Sequence, residues 1–347
     1  MKPVADRMIV HVGMHKTGTS TLQGSLAAHL ADPAFRYLAF EQANNSTTIR
    51  HVFWNDGLQD ADAQLRIKAE RQRRRGFVAM TRALNALGPE VPILSAEVIW
   101  SLPRASSDQF FDLLRIYRRN IQIVAYLRNL PDYVDSAFQE RLKTRRVDLG
   151  TPTVDVPYKR AFAPLERRFG RRNLLLKLFS PPALHKGCVV QDFCKTLGIA
   201  FDPAGVTRSN ERLSLPAVRL LYTYRRVHGT PRRGDRQLCT RLASLPGARF
   251  QLSPPITAAM AICDDDDFAF AQERLGVDLR ARESAPVERQ IASEADLLAQ
   301  PEEIDWLAAA TGCAQATLHS GPEAVAAAMD LLRQRALAEA PGARSED

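Results

Sequence analysis

The stretch that most limits the possible folds is Arg7-Met-Ile-Val-His-Val-Gly13-Met-His-Lys16-Thr-Gly18-Thr-Ser20-Thr21. Met8 to Val12 is a short, mostly apolar, β-branched run, which predicts a buried strand, and Gly13 to Gly18 supplies the tight turn that leaves it. Leu22, Leu26 and Leu30 then recur at near-helical spacing, with Ser20 or Thr21 as the expected cap. A strand, a glycine-bearing loop and a helix start, in that order, bring unpaired backbone N–H groups and the positive end of a helix dipole to one point. The expected occupant of that point is a phosphate-like anion.

The position of the lysine narrows the chemistry. A nucleoside-triphosphate loop reads G-x-x-x-x-G-K-[ST], with the lysine directly after the second glycine and a hydroxyl beside it for Mg²⁺. Gly13 and Gly18 keep that spacing, but Thr19 stands where the lysine belongs, and Lys16 lies inside the loop. His15-Lys16-Thr17-Gly18-Thr19-Ser20-Thr21 closely resembles the 5′-phosphosulfate loop of bacterial-type sulfotransferases that use 3′-phosphoadenosine 5′-phosphosulfate (PAPS). The resemblance implies that His15, Lys16, Thr17, Gly18, Thr19, Ser20 and Thr21 bind the donor. Lys16 and the hydroxyls would hold its sulfate and 5′-phosphate, and Lys16 would also act in catalysis.

A second anion motif follows about 110 residues later, in Tyr126-Leu-Arg128-Asn-Leu-Pro131-Asp132-Tyr133-Val-Asp-Ser136. Arg128 leaves a buried apolar strand, Pro131 suits a first helical position, and Ser136 lies just over a turn into the helix. A guanidinium and a hydroxyl at that spacing suit an oxyanion. The stretch resembles the sulfotransferase element R-[ND]-x-x-D-x-x-x-S, which implies that Arg128 and Ser136 bind the 3′-phosphate that distinguishes PAPS from ATP. The proline, often second after the arginine in that family, is third here.

The rest of the chain reads as alternating strands and helices. Strands are expected at Phe35 to Phe40, Val91 to Leu94, Ile121 to Leu127 and Asn173 to Phe179. Helices are expected from Asp60 to about Leu87, from Ser107 to Arg119 and from Pro131, with a polar loop over Asn44 to Asn55. The alternation predicts an α/β fold, a P-loop-like parallel β-sheet flanked by helices on both faces, whose ligands bind beyond the carboxyl ends of the strands. Val189 to Ile199 and Arg208 to Ser214 carry weaker family likenesses. The resemblance spans about residues 1–280, the expected sulfotransferase domain. Residues 281–347 read as an acidic, alanine-rich extension with helices near Glu302–Ala310 and Glu323–Leu337 and a disordered end from Ala340.

Charge is unevenly distributed. The net charge is +8, yet residues 251–347 hold 7 Lys+Arg and 18 Asp+Glu, leaving 40 and 21 for residues 1–250. A basic body suits a doubly anionic nucleotide and an acidic acceptor, and the opposite charge of the tail suggests either that part of it packs on, or shields, a basic surface or that it stands as a solvated, mobile appendage. Taken singly, the clusters Arg71–Arg75, Arg141–Arg146 and Arg167–Arg172 read as solvated helix faces. Five cysteines without Cys-x-x-Cys spacing support neither a disulfide framework nor a zinc site. The chain has no run of about 18 apolar residues, and its N-terminus lacks the pattern of a signal peptide. Both features predict a cytoplasmic protein with no transmembrane segment.

These features together predict a PAPS-dependent sulfotransferase that moves a sulfuryl group to an acceptor hydroxyl on a carbohydrate, lipid or small molecule, with PAPS as co-substrate and no metal. A P-loop kinase would share the core fold but lacks its main lysine here. A nucleic-acid-binding protein would explain the basic body but not the paired anion motifs, so no nucleic-acid partner is expected. Three residues compete as the base that takes the acceptor proton. Glu97 follows the third strand, where cytosolic sulfotransferases place a histidine two residues beyond a lysine; that lysine is Ser95 here. Glu41 ends the second strand, where Golgi-type glycan sulfotransferases carry a glutamate, and His51 lies in the polar loop beyond it. Glu97 ranks first.

Overall fold

A computed structural model describes residues 6–54, 62–207, 212–282 and 287–340. In chain order its elements are β1 (Arg7–Val12), α1 (Thr19–His29), β2 (Phe35–Tyr37), α2 (Ser46–Phe53), α3 (Ala63–Asn85), β3 (Val91–Ala96), α4 (Arg104–Tyr117), β4 (Asn120–Leu127) and α5 (Leu130–Thr144). There follow β5 (Val154–Asp155), α6 (Tyr158–Phe169), β6 (Leu174–Leu178), α7 (Val189–Leu197), α8 (Leu215–Val227), α9 (Asp235–Ala243), α10 (Pro254–Met260) and β7 (Ala261–Ile262). The last elements are α11 (Asp265–Leu275), α12 (Pro301–Thr311), α13 (Gln315–Leu318) and α14 (Pro322–Ala338). The chain divides into two compact units. One comprises residues 1–128, 157–210 and 264–279, the other residues 129–156, 211–263 and 280–347.

The first unit is built on a five-stranded parallel sheet in the order β2-β3-β1-β4-β6. Parallel neighbours need crossover connections, and the helices between strands supply them. Both faces of the central strands are apolar, as expected when helices cover a sheet on two sides. On one face Ile9, Ile93, Val124 and Tyr126 form a core with Leu22 and Leu26 of α1 and Val190 and Phe193 of α7. Met8, Val10, Leu94, Ile121 and Ile123, which alternate with those positions along the strands, are buried as well. Helices α4 and α6 join through Phe111 and Phe169, whose rings lie 4.9 Å apart in edge geometry.

Two local expectations need correction. Helix α1 starts at Thr19, and its cap position is Gly18 in the left-handed region, with no side-chain cap, so Ser20 and Thr21 belong to its first turn. The polar stretch after Phe40 is not a loop throughout, because Ser46–Phe53 forms α2, whose Ile49, Val52 and Phe53 are buried. Asn45 makes this possible: its amide donates to the carbonyls of Leu38 (2.8 Å) and Ser95 (3.2 Å) and accepts from Phe40 N–H (2.9 Å). One buried side chain thus satisfies three backbone groups at the ends of two strands.

The second unit is mainly helical, with the short parallel pair of β5 and β7. Helix α14 packs on α8, α9 and α12. Acidic residues of the 281–340 region meet arginines of α8 and its neighbours: Glu303 with Arg219 (3.2 Å, both buried), Glu294 with Arg226 (2.9 Å) and Asp330 with Arg232 (2.6 Å). Asp135 of α5 is fully buried, accepting from Leu252 N–H at 3.0 Å and pairing with Arg282 at 2.6 Å. Burial raises its pKa, and Arg282 pulls the other way. The expected disordered end falls outside the described residues from 341 on, and Arg208 to Glu211 are likewise outside them.

Candidate active site

The loop between β1 and α1 is fixed by backbone geometry. Gly13 N–H donates to Ala96 O at 3.2 Å, which ties the start of the loop to the end of β3. Thr17, fully buried, donates its hydroxyl to Met14 O at 2.6 Å and closes the loop on itself. Lys16 has φ 65° and Gly18 φ 75°, so two left-handed residues flank Thr17. A non-glycine residue there is uncommon and is held at a cost of order 1–3 kcal/mol. Gly18 is required on two counts: besides its φ, an added Cβ would lie 3.0 Å from Val189 Cγ1 and 3.1 Å from Phe179 Cε2. At Gly13 an added Cβ would fall 2.4 Å from Thr19 Oγ1. Successive turns of this kind aim N–H groups into one concavity and favour an anion.

Two features of the loop suit an oxyanion ligand. Thr19 Oγ1 is buried with no hydrogen-bond partner among the described residues, an arrangement that costs about 1–3 kcal/mol unless a ligand or water oxygen satisfies it. Arg128, at the end of β4, donates from Nη1 to Lys16 O at 2.9 Å, and its guanidinium lies 5.6 Å from the Phe179 ring centre. Tyr158 donates to the Arg128 carbonyl at 2.5 Å. The two sequence motifs therefore meet at Lys16. Ser136 lies on α5 in the second unit and is buried.

Of the three base candidates, Glu97 is the one joined to the loop. Its Oε2 lies 3.4 Å from His15 Nδ1, and its own N–H donates to Ser46 Oγ at 2.9 Å. The His15 ring stands edge-on to Trp100 with centroids 5.2 Å apart. Both side chains keep solvent access, 50% for His15 and 27% for Glu97, as groups that meet a substrate must. Glu41 is engaged elsewhere, accepting from Thr48 at 3.2 Å and pairing with Arg75 at 2.6 Å. His51 lies in the last turn of α2. Ser95 points away from any crevice: it is fully buried and its Oγ lies 2.8 Å from His11 Nδ1. Burial lowers the His11 pKa to about 3, so the ring is neutral at pH 7.

Ser46 and Trp100 were not singled out in the sequence. Ser46 is the first residue of α2 within the polar run, and its only signal was a helix start by a hydroxyl residue; Trp100 has no signal beyond its proximity to Glu97. Among the described residues no group of three or more His, Cys, Asp or Glu is arranged to hold a metal ion, and no helix is long and apolar enough to cross a membrane.

No known family profile matches the chain, and no curated relative matches it. Among solved structures the chain is similar to a sulfotransferase from Alicyclobacillus acidocaldarius at 16% identity and a TM-score of 0.34. The match covers 60% of this chain and 87% of that one.

Proposed function

We propose that the chain is a PAPS-dependent sulfotransferase. The observation that carries the reading is the loop itself: Lys16 held left-handed inside it, Thr19 in the place of a triphosphate-binding lysine, and Arg128 bonded to the Lys16 carbonyl. Lys16 and the loop N–H groups would hold the 5′-phosphate and stabilise the charge that grows on its bridging oxygen as the S–O bond breaks. Arg128 would take the 3′-phosphate. Glu97 would accept the acceptor's proton as its oxygen bonds to sulfur, with His15 beside it to steady the carboxylate. The products are a sulfate ester and adenosine 3′,5′-bisphosphate. A sulfuryl group carries less negative charge than a terminal phosphoryl group, so positioning and charge stabilisation suffice without a bridging cation.

The direct test is transfer of labelled sulfate from PAPS to a panel of hydroxyl acceptors, run beside γ-labelled ATP with Mg²⁺. Sulfate transfer without phosphate transfer is the expected result. Phosphate transfer from ATP would replace the reading with a kinase.

A further inference from the structure

Helix α3 is more basic and more exposed than packing requires. Only Gly76, Met80 and Leu84, at four-residue intervals, are buried along it. Gly76 lets it approach α2 closely, since an added Cβ would lie 3.1 Å from Val52 Cγ2 and 3.3 Å from Thr48 Cγ2. Its outward stripe, Arg71, Arg75, Val78 and Arg82, follows helical spacing. With Arg74, Phe40 and Glu41 this stripe lines a groove of about 550 Å³. A second groove of about 450 Å³, lined by Lys68, Arg71 and Arg75 among others, extends it along the helix. Arg71 and Arg82 pair with no carboxylate among the described residues.

The groove is linked to the donor loop by contacts within the first unit. His15 meets Glu97, Glu97 N–H meets Ser46 at the start of α2, Thr48 in the same first turns meets Glu41, and Glu41 meets Arg75. We propose that this groove is the acceptor subsite of the sulfotransferase read above, and that it takes an acidic saccharide chain bearing uronate or sulfate groups. Four guanidinium groups match repeated anionic groups, each able to bind bidentately. Glu41, fixed among them, accepts from neutral hydroxyls, which a saccharide offers between its charges. Nucleic acid is disfavoured by the same carboxylate, and Phe40, the aromatic residue that lines the groove, is only 8% exposed for base stacking.

The test is calorimetry with a hexamer of 1,4-linked galacturonate, its uncharged methyl ester and adenosine 3′,5′-bisphosphate, each titrated separately into the full chain and into the Arg71→Ser, Arg74→Ser double variant. Both substituted residues are exposed, so the fold is retained. The expected result is hexamer binding at least tenfold tighter than that of the ester and weakened at least tenfold in the variant, with bisphosphate affinity held within twofold. Equal hexamer binding by both proteins, ester binding as tight as that of the acid, or no hexamer binding would overturn the proposal. Tighter binding of an oligouridylate or of phosphatidylserine vesicles at equal charge would also overturn it, in favour of nucleic acid or a lipid surface. Failure of both proteins to bind bisphosphate would remove the donor reading and with it the acceptor role, and it is seen independently of the hexamer titration.

Discussion

The loop between β1 and α1 in the first unit and the acid-rich helices of the second hold their shapes by opposite means. In the loop the information lies in the backbone: positive φ at Lys16 and Gly18, space for no more than hydrogen at Gly13, and a single closing bond from Thr17. In the 281–340 region it lies in long side chains, with Glu303, Glu294 and Asp330 each set against an arginine and α14 packed on α8 and α9. The loop stores strain and leaves Thr19 Oγ1 without a partner among the described residues, as a ligand site does; the acidic helices satisfy their charges internally. Substitutions near the loop should therefore change binding and rate, and those among the acidic helices should change stability.

The sharpest check on that contrast is Glu97→Gln, which should lower the sulfate transfer rate by roughly 10²–10⁴-fold while leaving bisphosphate affinity and thermal midpoint unaltered. Near-normal turnover in that variant, with Glu41→Gln or His51→Ala inactive, would move the base to one of those residues. On the other side, Glu303→Ala strands buried Arg219 and removes the acceptor of Gln300 N–H at 2.7 Å. It should cost on the order of 3–5 kcal/mol in denaturant unfolding. Arg241→Ala breaks an exposed pair with Glu339 and should cost no more than about 1 kcal/mol. Equal effects from these two variants would break the view that burial of the pairs, and not their number, supports the helices.

Arg128→Ala tests the junction of the two motifs. It removes the bond to Lys16 O together with the proposed 3′-phosphate contact, so bisphosphate binding should weaken by about 1.5–3 kcal/mol. AMP, which lacks the 3′-phosphate, should lose only the smaller share that comes from a looser loop. Identical losses for the two ligands in calorimetry would confine Arg128 to supporting the loop.

His11 gives a stability effect inside the first unit that should leave ligand binding alone. Its folded-state pKa of about 3 lies below the ordinary 6.5, so the folded chain binds fewer protons than the unfolded one. The stabilisation is fully present above about pH 6.5 and is lost as pH falls toward 3. The slope contributed by this one group approaches ~1.4 kcal/mol per pH unit between those limits. His11→Asn should flatten that part of the pH dependence of unfolding. An unchanged acid limb would assign the loss to carboxylates instead.

Much of the architecture was legible because it rests on short-range rules. The β1 strand, the glycine pair of the loop, the central apolar strand at 121–127 and the helices near 302–310 and 323–337 follow from side-chain periodicity and permitted φ, which act over a few residues. The same rules misplaced the cap of α1, since a left-handed Gly18 ends the loop and no hydroxyl is needed there. They also hid α2 in a polar run that Asn45 ties to the backbone of Leu38, Phe40 and Ser95. The sequence by itself determined that a glycine-bearing loop with its lysine inside leads an alternating α/β chain. The tertiary structure alone decided that His15 meets Glu97, that Ser95 turns inward to His11 across 84 residues, that Arg128 grips Lys16, and that Arg75 meets Glu41. Those pairings depend on β1 lying between β3 and β4 and on how closely α3 approaches α2, and strand order and helix approach are set by the packing of the whole core, which no local run of residues encodes.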